Sequence, residues 1–91
     1  MAEENKIQVK IYTPEKIVVN EEADFAAVTT MTAYNGFYPK HAPFVMALAE
    51  KGHVKVRKSG NDKIFQFQGS GHMEYKDKVL VVLTEKVLAQ Q

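Results

Sequence analysis

The sequence predicts one all-β domain built as a sandwich or barrel, and three observations carry that prediction. Apolar residues recur at every second position in several separate stretches, the repeat of a strand that buries one face. Clusters of glycine, asparagine, aspartate and proline separate those stretches at intervals of about 8–12 residues, the spacing of all-β folds. The 91 residues suit one domain, with roughly two-thirds of the unfolded chain's surface buried on folding.

In the first stretch Ile7, Val9 and Ile11 alternate with Gln8, Lys10 and Tyr12. Thr13-Pro14 ends it, because proline cannot donate to a β-ladder. Residues 16–20 carry Ile17-Val18-Val19, a β-branched cluster that favours a pleated surface. Residues 25–31 form a weaker candidate strand, since Ala26 and Ala27 are poor strand formers. Val54 and Val56 then alternate with Lys55 and Arg57. Ser59-Gly60-Asn61-Asp62 supplies a turn, and Phe65 and Phe67 share one face of residues 63–68. Two alternating runs around such a turn predict a β-hairpin. Gly69-Ser70-Gly71 interrupts before Met73-Glu74-Tyr75. Lys76-Asp77-Lys78 makes the next turn, and residues 79–83 are expected to form a strand covered on both faces. Only residues 43–50 and 85–90 have helical character, over barely two turns and at a fraying end respectively. The expected domain occupies residues 1–91, with the folded part at about 6–84 and residues 1–5 and 85–91 as loose ends.

Composition narrows the function classes. The absence of cysteine excludes a disulfide scaffold and a thiolate metal site. Twelve basic and eleven acidic residues leave a formal net charge of +1, too little for bulk attraction to nucleic acid or anionic lipid. The polar start Met1-Ala2-Glu3-Glu4-Asn5-Lys6 lacks the apolar region of a secretory signal. The longest apolar runs, at residues 44–49 and 79–83, fall far short of the ~20 residues of a membrane-spanning helix.

The candidate chemical sites are weak. His41, His53 and His72 stand twelve and nineteen residues apart, spacings that match no compact metal motif. Local hydrogen bonding is the expected role, and neither a metal nor a catalytic set is expected. There is no Gly-x-Ser-x-Gly elbow. Gly69-Ser70-Gly71 lacks the following helix, lysine and Ser/Thr of a phosphate loop, so a β-bulge or a close backbone approach is expected there. Lys51, Lys55, Arg57, Lys58 and Lys63 form a basic stretch with no interleaved aromatic residue. It therefore reads as a solvated strand face more than as a nucleic-acid surface.

One segment stands apart: Tyr34-Asn35-Gly36-Phe37-Tyr38-Pro39-Lys40-His41-Ala42-Pro43-Phe44-Val45-Met46. Two prolines stiffen it, and it carries five large apolar side chains. Interior packing and a docking surface fit it equally well. The same two roles stay open for Met46.

These residues also carry a resemblance. Thr13-Pro14-Glu15-Lys16-Ile17-Val18 resembles the opening of the ATP synthase epsilon subunit family (delta in mitochondrial naming). Pro39-Lys40-His41-Ala42-Pro43 is similar to its Pro-Gly-His-Ala-Pro. Gly52 with the valines after it, Ser70-Gly71-His72-Met73-Glu74-Tyr75, and residues 79–83 resemble three further family motifs in the right order. The similarity runs over residues 6–83. Lys40 stands where the family has glycine, Tyr34 where an acid is usual, and His72 where the family is apolar.

The resemblance implies a flattened sandwich of two antiparallel sheets. It implies a central-stalk subunit of an F-type proton-translocating ATP synthase, without an active site or cofactor, that links the gamma subunit to the c-ring. The setting implied is peripheral, on the cytoplasmic face of a bacterial inner membrane or its equivalent, with no nucleic acid as partner. Many members continue into a C-terminal helical hairpin that binds ATP in some bacteria; the sequence stops before it, so none of those residues carry over. The implied ring contact is Tyr34, Gly36, Phe37, Tyr38 and His41. The implied gamma contact is Thr13, Phe44, Val45, Met46 and His53. A small all-β adaptor or nucleic-acid-binding module with a diverged fold of this kind is the alternative reading, and a hydrolase would require the three histidines to converge.

Overall fold

The longest feature is a hairpin of β7 (Asn61–Lys76) and β8 (Val79–Gln90). Its turn, Asp77-Lys78, has both residues at positive φ, 52° and 67°. That primed geometry follows the right-handed twist of the strands it joins. The computed structural model describes residues 6–90, and of Ala89 and Gln90 the backbone alone. The other strands are β1 (Ile7–Tyr12), β2 (Ile17–Ala23), β3 (Phe25–Thr29), β4 (Tyr34–Phe37), β5 (Phe44–Ala47) and β6 (Lys51–Lys58). The β6–β7 turn also holds two residues, Ser59 and Gly60, at positive φ.

The strands pair in the order β2-β1-β8-β7-β6-β3-β4, with β5 also paired to β7. A bulge in β7 turns this ladder into two layers. Gln68 faces Lys86 and Gly71 faces Thr84, so Gly69 and Ser70 together oppose Glu85. Such an extra residue bends a strand. Gly69 has φ 101°, open only to glycine at low cost. At Gly71 an added Cβ would stand 2.0 Å from the Leu83 carbonyl oxygen. Before the bulge β7 pairs with β6, from Asn61 with Lys58 to Gln68 with Lys51. After it β7 pairs with β5, from His72 with Ala47 to Tyr75 with Phe44. The first layer is therefore β2-β1-β8-β7-β5 and the second β8-β7-β6-β3-β4, with β7 and β8 running through both.

Inward residues from both layers meet in one core. Val9, Ile11, Met73, Tyr75, Leu80 and Val82 come from the first layer, and Val28, Phe37, Val54, Val56, Phe65 and Phe67 from the second. The bulge and the alternating runs agree with the sequence. A second pin lies at the sheet corner, where Asp24 accepts from Lys6 Nζ and, at 2.8 Å, from the Ser59 amide. The Lys6 hydrogen bond, with help from Ser59, holds the Asp24 carboxyl below its ordinary pKa.

Four expectations are corrected. The sandwich is not purely antiparallel: β1 and β8 run parallel, Gln8 with Val79 through Tyr12 with Leu83. Nearly the whole chain separates them, so no short turn dictates their direction. Residues 79–83 are not covered on both faces; Leu80 and Val82 are buried while Leu83 is 37% exposed, because only one side of β8 meets the other layer. Residues 43–50 hold strand β5 instead of a helix, since so short a helix nucleates poorly and β7 offers a free edge. Residues 85–90 are neither helical nor loose: Lys86 and Val87 pair with Gln68 and Phe67, and Val87 packs against the core. Residues 1–5 and 91, also read as loose, lie outside the described residues.

The bulge gives a direct contrast between two glycines. Gly71→Ala forces a Cβ into backbone and is expected to cost about 2–3 kcal/mol or more. Gly60→Ala meets nothing within 4 Å and is expected to cost about 1–2 kcal/mol for its positive φ. Urea unfolding at constant slope separates them, and equal losses would contradict the role given to the bulge.

Candidate functional site

The segment that the sequence singled out is divided by strand alternation between the core and two surfaces. Thr30 fixes the turn into β4: its hydroxyl stands 2.9 Å from both the Ala33 carbonyl and Asn35 Oδ1 and accepts from the Ala33 amide at 3.2 Å. The turn it holds presents Met31, 69% exposed. Along β4, Tyr34 and Gly36 face outward, and Phe37 turns into the core with no exposed surface.

Phe37 is thereby corrected as a surface contact. Its ring lies 5.2 Å from Tyr75, 4.7 Å from His41 and 5.8 Å from Phe44. Buried Tyr75 then locks the loop beyond β4, donating toward the Tyr38 and Pro39 carbonyls at 3.1 Å each. Burial raises the Tyr75 phenol above its ordinary pKa, which keeps the donated proton in place. His41 covers the edge of this cluster, exposed itself, with Nδ1 2.6 Å from the Ala42 carbonyl oxygen. The segment is thus both interior packing and surface.

The residues expected at the ring do not form one patch. Tyr34 stands at the hairpin end of β4, while Tyr38 and His41 lie past its other end, roughly 10 Å along the strand. Tyr34 instead meets His53, its hydroxyl 3.0 Å from Nε2, so one residue of each expected set shares a site. Gly36 leaves room for the Phe25 ring, which an added Cβ would approach to 2.8 Å. Tyr38 packs on that ring at 4.6 Å, and the Arg57 guanidinium sits 5.4 Å from its centre.

The residues expected to meet gamma also divide. On β5, Phe44 and Met46 pack against the core, and Val45 points outward, 63% exposed. Register places Val45 in a row with Glu74, Val81 and Lys10, and Ala47 in a row with His72, Leu83 and Tyr12. Tyr12, Val45, Val81 and Leu83 are therefore among the outward apolar side chains on the outer face of the first layer, interleaved with Lys10, Glu74 and His72. Thr13 sits at its edge, closed into a tight turn by the 2.9 Å bond from its amide to the Lys16 carbonyl. His53 belongs to the second layer, on the opposite side of the sandwich.

Sequence reasoning missed Met31, Val81 and Leu83. The signal for the last two was present, because five consecutive apolar residues in a strand cannot all face inward. The basic stretch was also read incompletely: β3 and β4 bring Phe25, Tyr34 and Tyr38 beside the strand that carries Lys55 and Arg57. Arg57, however, is held by Asp62, with Nε 2.8 Å from Oδ1. His41, His53 and His72 occupy three different surroundings. Among the described residues no three His, Cys, Asp or Glu side chains are grouped to hold a metal.

The aromatic cluster predicts a graded response. His41→Ala removes surface ring contacts and is expected to cost about 1 kcal/mol. Phe37→Ala empties the core and is expected to cost about 3–5 kcal/mol. Denaturant midpoints test this; equal costs would make His41 part of the core.

Comparison with known proteins gives this geometry a family. The family model described as ATP synthase, Delta/Epsilon chain, beta-sandwich domain matches residues 6–90. The ATP synthase epsilon chain of Leptospira interrogans is 35% identical over 81 residues, covering 89% of this chain and 62% of the relative. That of Desulforamulus reducens is 39% identical over 79 residues, covering 86% and 58%. The chain thus spans about six-tenths of the length of these curated relatives. Two solved structures share the fold at 16% identity. One, of the Euglena gracilis mitochondrial ATP synthase OSCP/F1/c-ring, has a TM-score of 0.82, covering 92% of this chain and 53% of the other. The second, the Tetrahymena thermophila mitochondrial ATP synthase central stalk and c-ring, has a TM-score of 0.66, covering 90% and 65%. With its family model matched from Lys6 to the end of β8, this chain belongs to the ATP synthase delta/epsilon chain family, as a member of its β-sandwich domain.

Proposed function

We propose that this chain is a non-catalytic rotor subunit of an F-type ATP synthase, holding gamma to the ring of c subunits so that proton-driven rotation reaches the catalytic head. No bond is made or broken on it, and it needs no cofactor. The observation that carries this reading is the outward apolar face of the first layer. Tyr12, Val81 and Leu83 are neighbours there and Val45 lies beyond Glu74 on the same face, where water contact is unfavourable for the apolar side chains and a partner's apolar surface would be favoured. Family membership supports the assignment, as does the likeness to a central stalk solved with its c-ring.

In this reading gamma covers the first-layer face, with Val45 on its edge strand β5, Thr13 at its rim, and Phe44 and Met46 supporting it from beneath. The β3–β4 hairpin tip, Met31 with Tyr34, meets the ring, and His53 steadies Tyr34. Gly36, Tyr38 and His41 lie between the two contacts, fixing the hairpin to the core. The setting is peripheral to the membrane, at the cytoplasmic face in a bacterium. Among the described residues no helix is long and apolar enough to cross a membrane.

Size-exclusion chromatography with gamma from the same organism, at low and moderate salt, tests the reading. The chain is expected to co-elute one-to-one with gamma at both salts. Val45→Glu is expected to abolish co-elution while leaving the unfolding temperature unchanged, because the side chain is exposed. Failure of the folded wild-type chain to co-elute with folded gamma, or undiminished co-elution of the variant, contradicts it.

A further inference from the structure

We infer that Thr29 and Gly52 are positioning residues for the proposed ring contact: through the backbone of His53 they fix the direction in which Tyr34 presents its ring and hydroxyl. The inference rests on the rotor reading and deepens it by naming what holds the contact residue in place.

Register brings the four residues together. Thr29 pairs with Tyr34 across β3 and β4. On its other side the β3–β6 ladder has its last rung at Val28 with Val54, and beyond it the Thr29 hydroxyl takes over. It accepts from the His53 amide at 3.2 Å and donates toward the His53 carbonyl at 3.4 Å. Two bonds to the backbone of one residue set the direction of its Cα–Cβ bond, and so where the imidazole starts from. Gly52 makes the approach possible. A Cβ at position 52 would stand 2.5 Å from the Thr29 Cβ and 2.8 Å from its hydroxyl oxygen. Any other residue there displaces the side chain that carries both bonds.

His53 needs this hold because one of its flanks is open. The imidazole borders a cleft of about 380 Å³ that Lys51, Gln66, Gln68 and Leu88 also line, which leaves it room to swing away from Tyr34. In place, its Nε2 lies 3.0 Å from the Tyr34 hydroxyl, with the ring centroids 5.1 Å apart. Among the described residues His53 is the hydrogen-bond partner of that hydroxyl, and Tyr34 is otherwise 48% exposed. Thr30 fixes the backbone of the hairpin turn, whereas Thr29, acting through His53, fixes the Tyr34 side chain. A side chain already held in its contact direction loses less freedom on docking.

The test measures the affinity of the gamma-bound chain for the purified c-ring in detergent, with each variant's folding checked by thermal unfolding. Thr29→Val keeps the side-chain shape and removes both bonds. Its unfolding temperature is expected to drop by a few degrees, because the His53 amide loses its partner. Its ring affinity is expected to fall roughly 2- to 10-fold, the worth of one misplaced hydrogen-bonding contact. Gly52→Ala, which displaces Thr29, is expected to lose as much, and Thr29→Ser, which keeps the hydroxyl, to bind like the wild type. The deciding readout is the Tyr34→Phe background. Thr29→Val is expected to cost no further affinity there, whereas a merely structural Thr29 would cost the same in both backgrounds. His53→Ala, a change on the outer face, is expected to show the same pattern, which keeps the inference testable if the other variants misfold. Wild-type ring affinity in these folded variants, or equal losses in the two backgrounds, overturns the positioning role and leaves the rotor reading intact. Absence of ring binding by the wild-type complex overturns both.

Discussion

One geometric constraint organises this domain: β7 and β8 must each serve two layers, and a straight ladder cannot. The ladder bends at Gly69-Ser70-Gly71, where two residues of β7 oppose one of β8. Glycine is required there for a positive φ at Gly69 and for contact with the Leu83 carbonyl at Gly71. Before the bend β7 holds β6, and after it β7 holds β5. Without the bend, Phe65 and Phe67 could not close on Met73 and Tyr75 across a common core. The cost is local: pairing is lost beside Thr84, and a cleft opens next to the end of β1.

The surfaces follow from the same constraint. Because each layer has only one inward side, strand alternation sends every second residue outward, apolar or not. On β8 that rule exposes Leu83 while Leu80 and Val82 are sealed. On β5 it exposes Val45 over half-buried Phe44 and Met46, and on β4 it buries Phe37 beneath Tyr34 and Gly36. An outward face that carries apolar side chains, and a hairpin tip pinned by Thr30, are what the proposed rotor role would use. Tyr75 adds rigidity by tying the Tyr38–Pro39 backbone to the core.

Most strands and the bulge were legible because their signals are local, whereas β4 and β5, inside the proline-bearing segment, were not. Alternation marked Ile7, Val9 and Ile11 as core, and paired glycines without a following helix marked the break in β7. The parallel pairing of β1 with β8 was not legible, since it depends on strands at opposite ends of the chain. Residues 85–90 look helical in isolation, yet a waiting β7 edge makes them strand. The residues proposed for docking were gathered as a segment, and the surfaces they occupy were not legible. Sequence proximity joined Phe37 to Tyr38 and separated Tyr34 from His53, whereas alternation buries Phe37 and register joins Tyr34 to His53. The outward face that holds Tyr12, Val45, Val81 and Leu83 gathers three distant stretches, and only pairing reveals it.

The central claim is that the first-layer face is the one gamma covers, and single-cysteine labelling tests it most directly. The chain contains no cysteine, so Val45→Cys reports on that face and Lys55→Cys on the opposite one. Maleimide labelling would be timed with and without gamma. The account predicts that gamma protects the cysteine at position 45 and leaves the one at position 55 as reactive as before. Protection at position 55 with none at position 45 would contradict it.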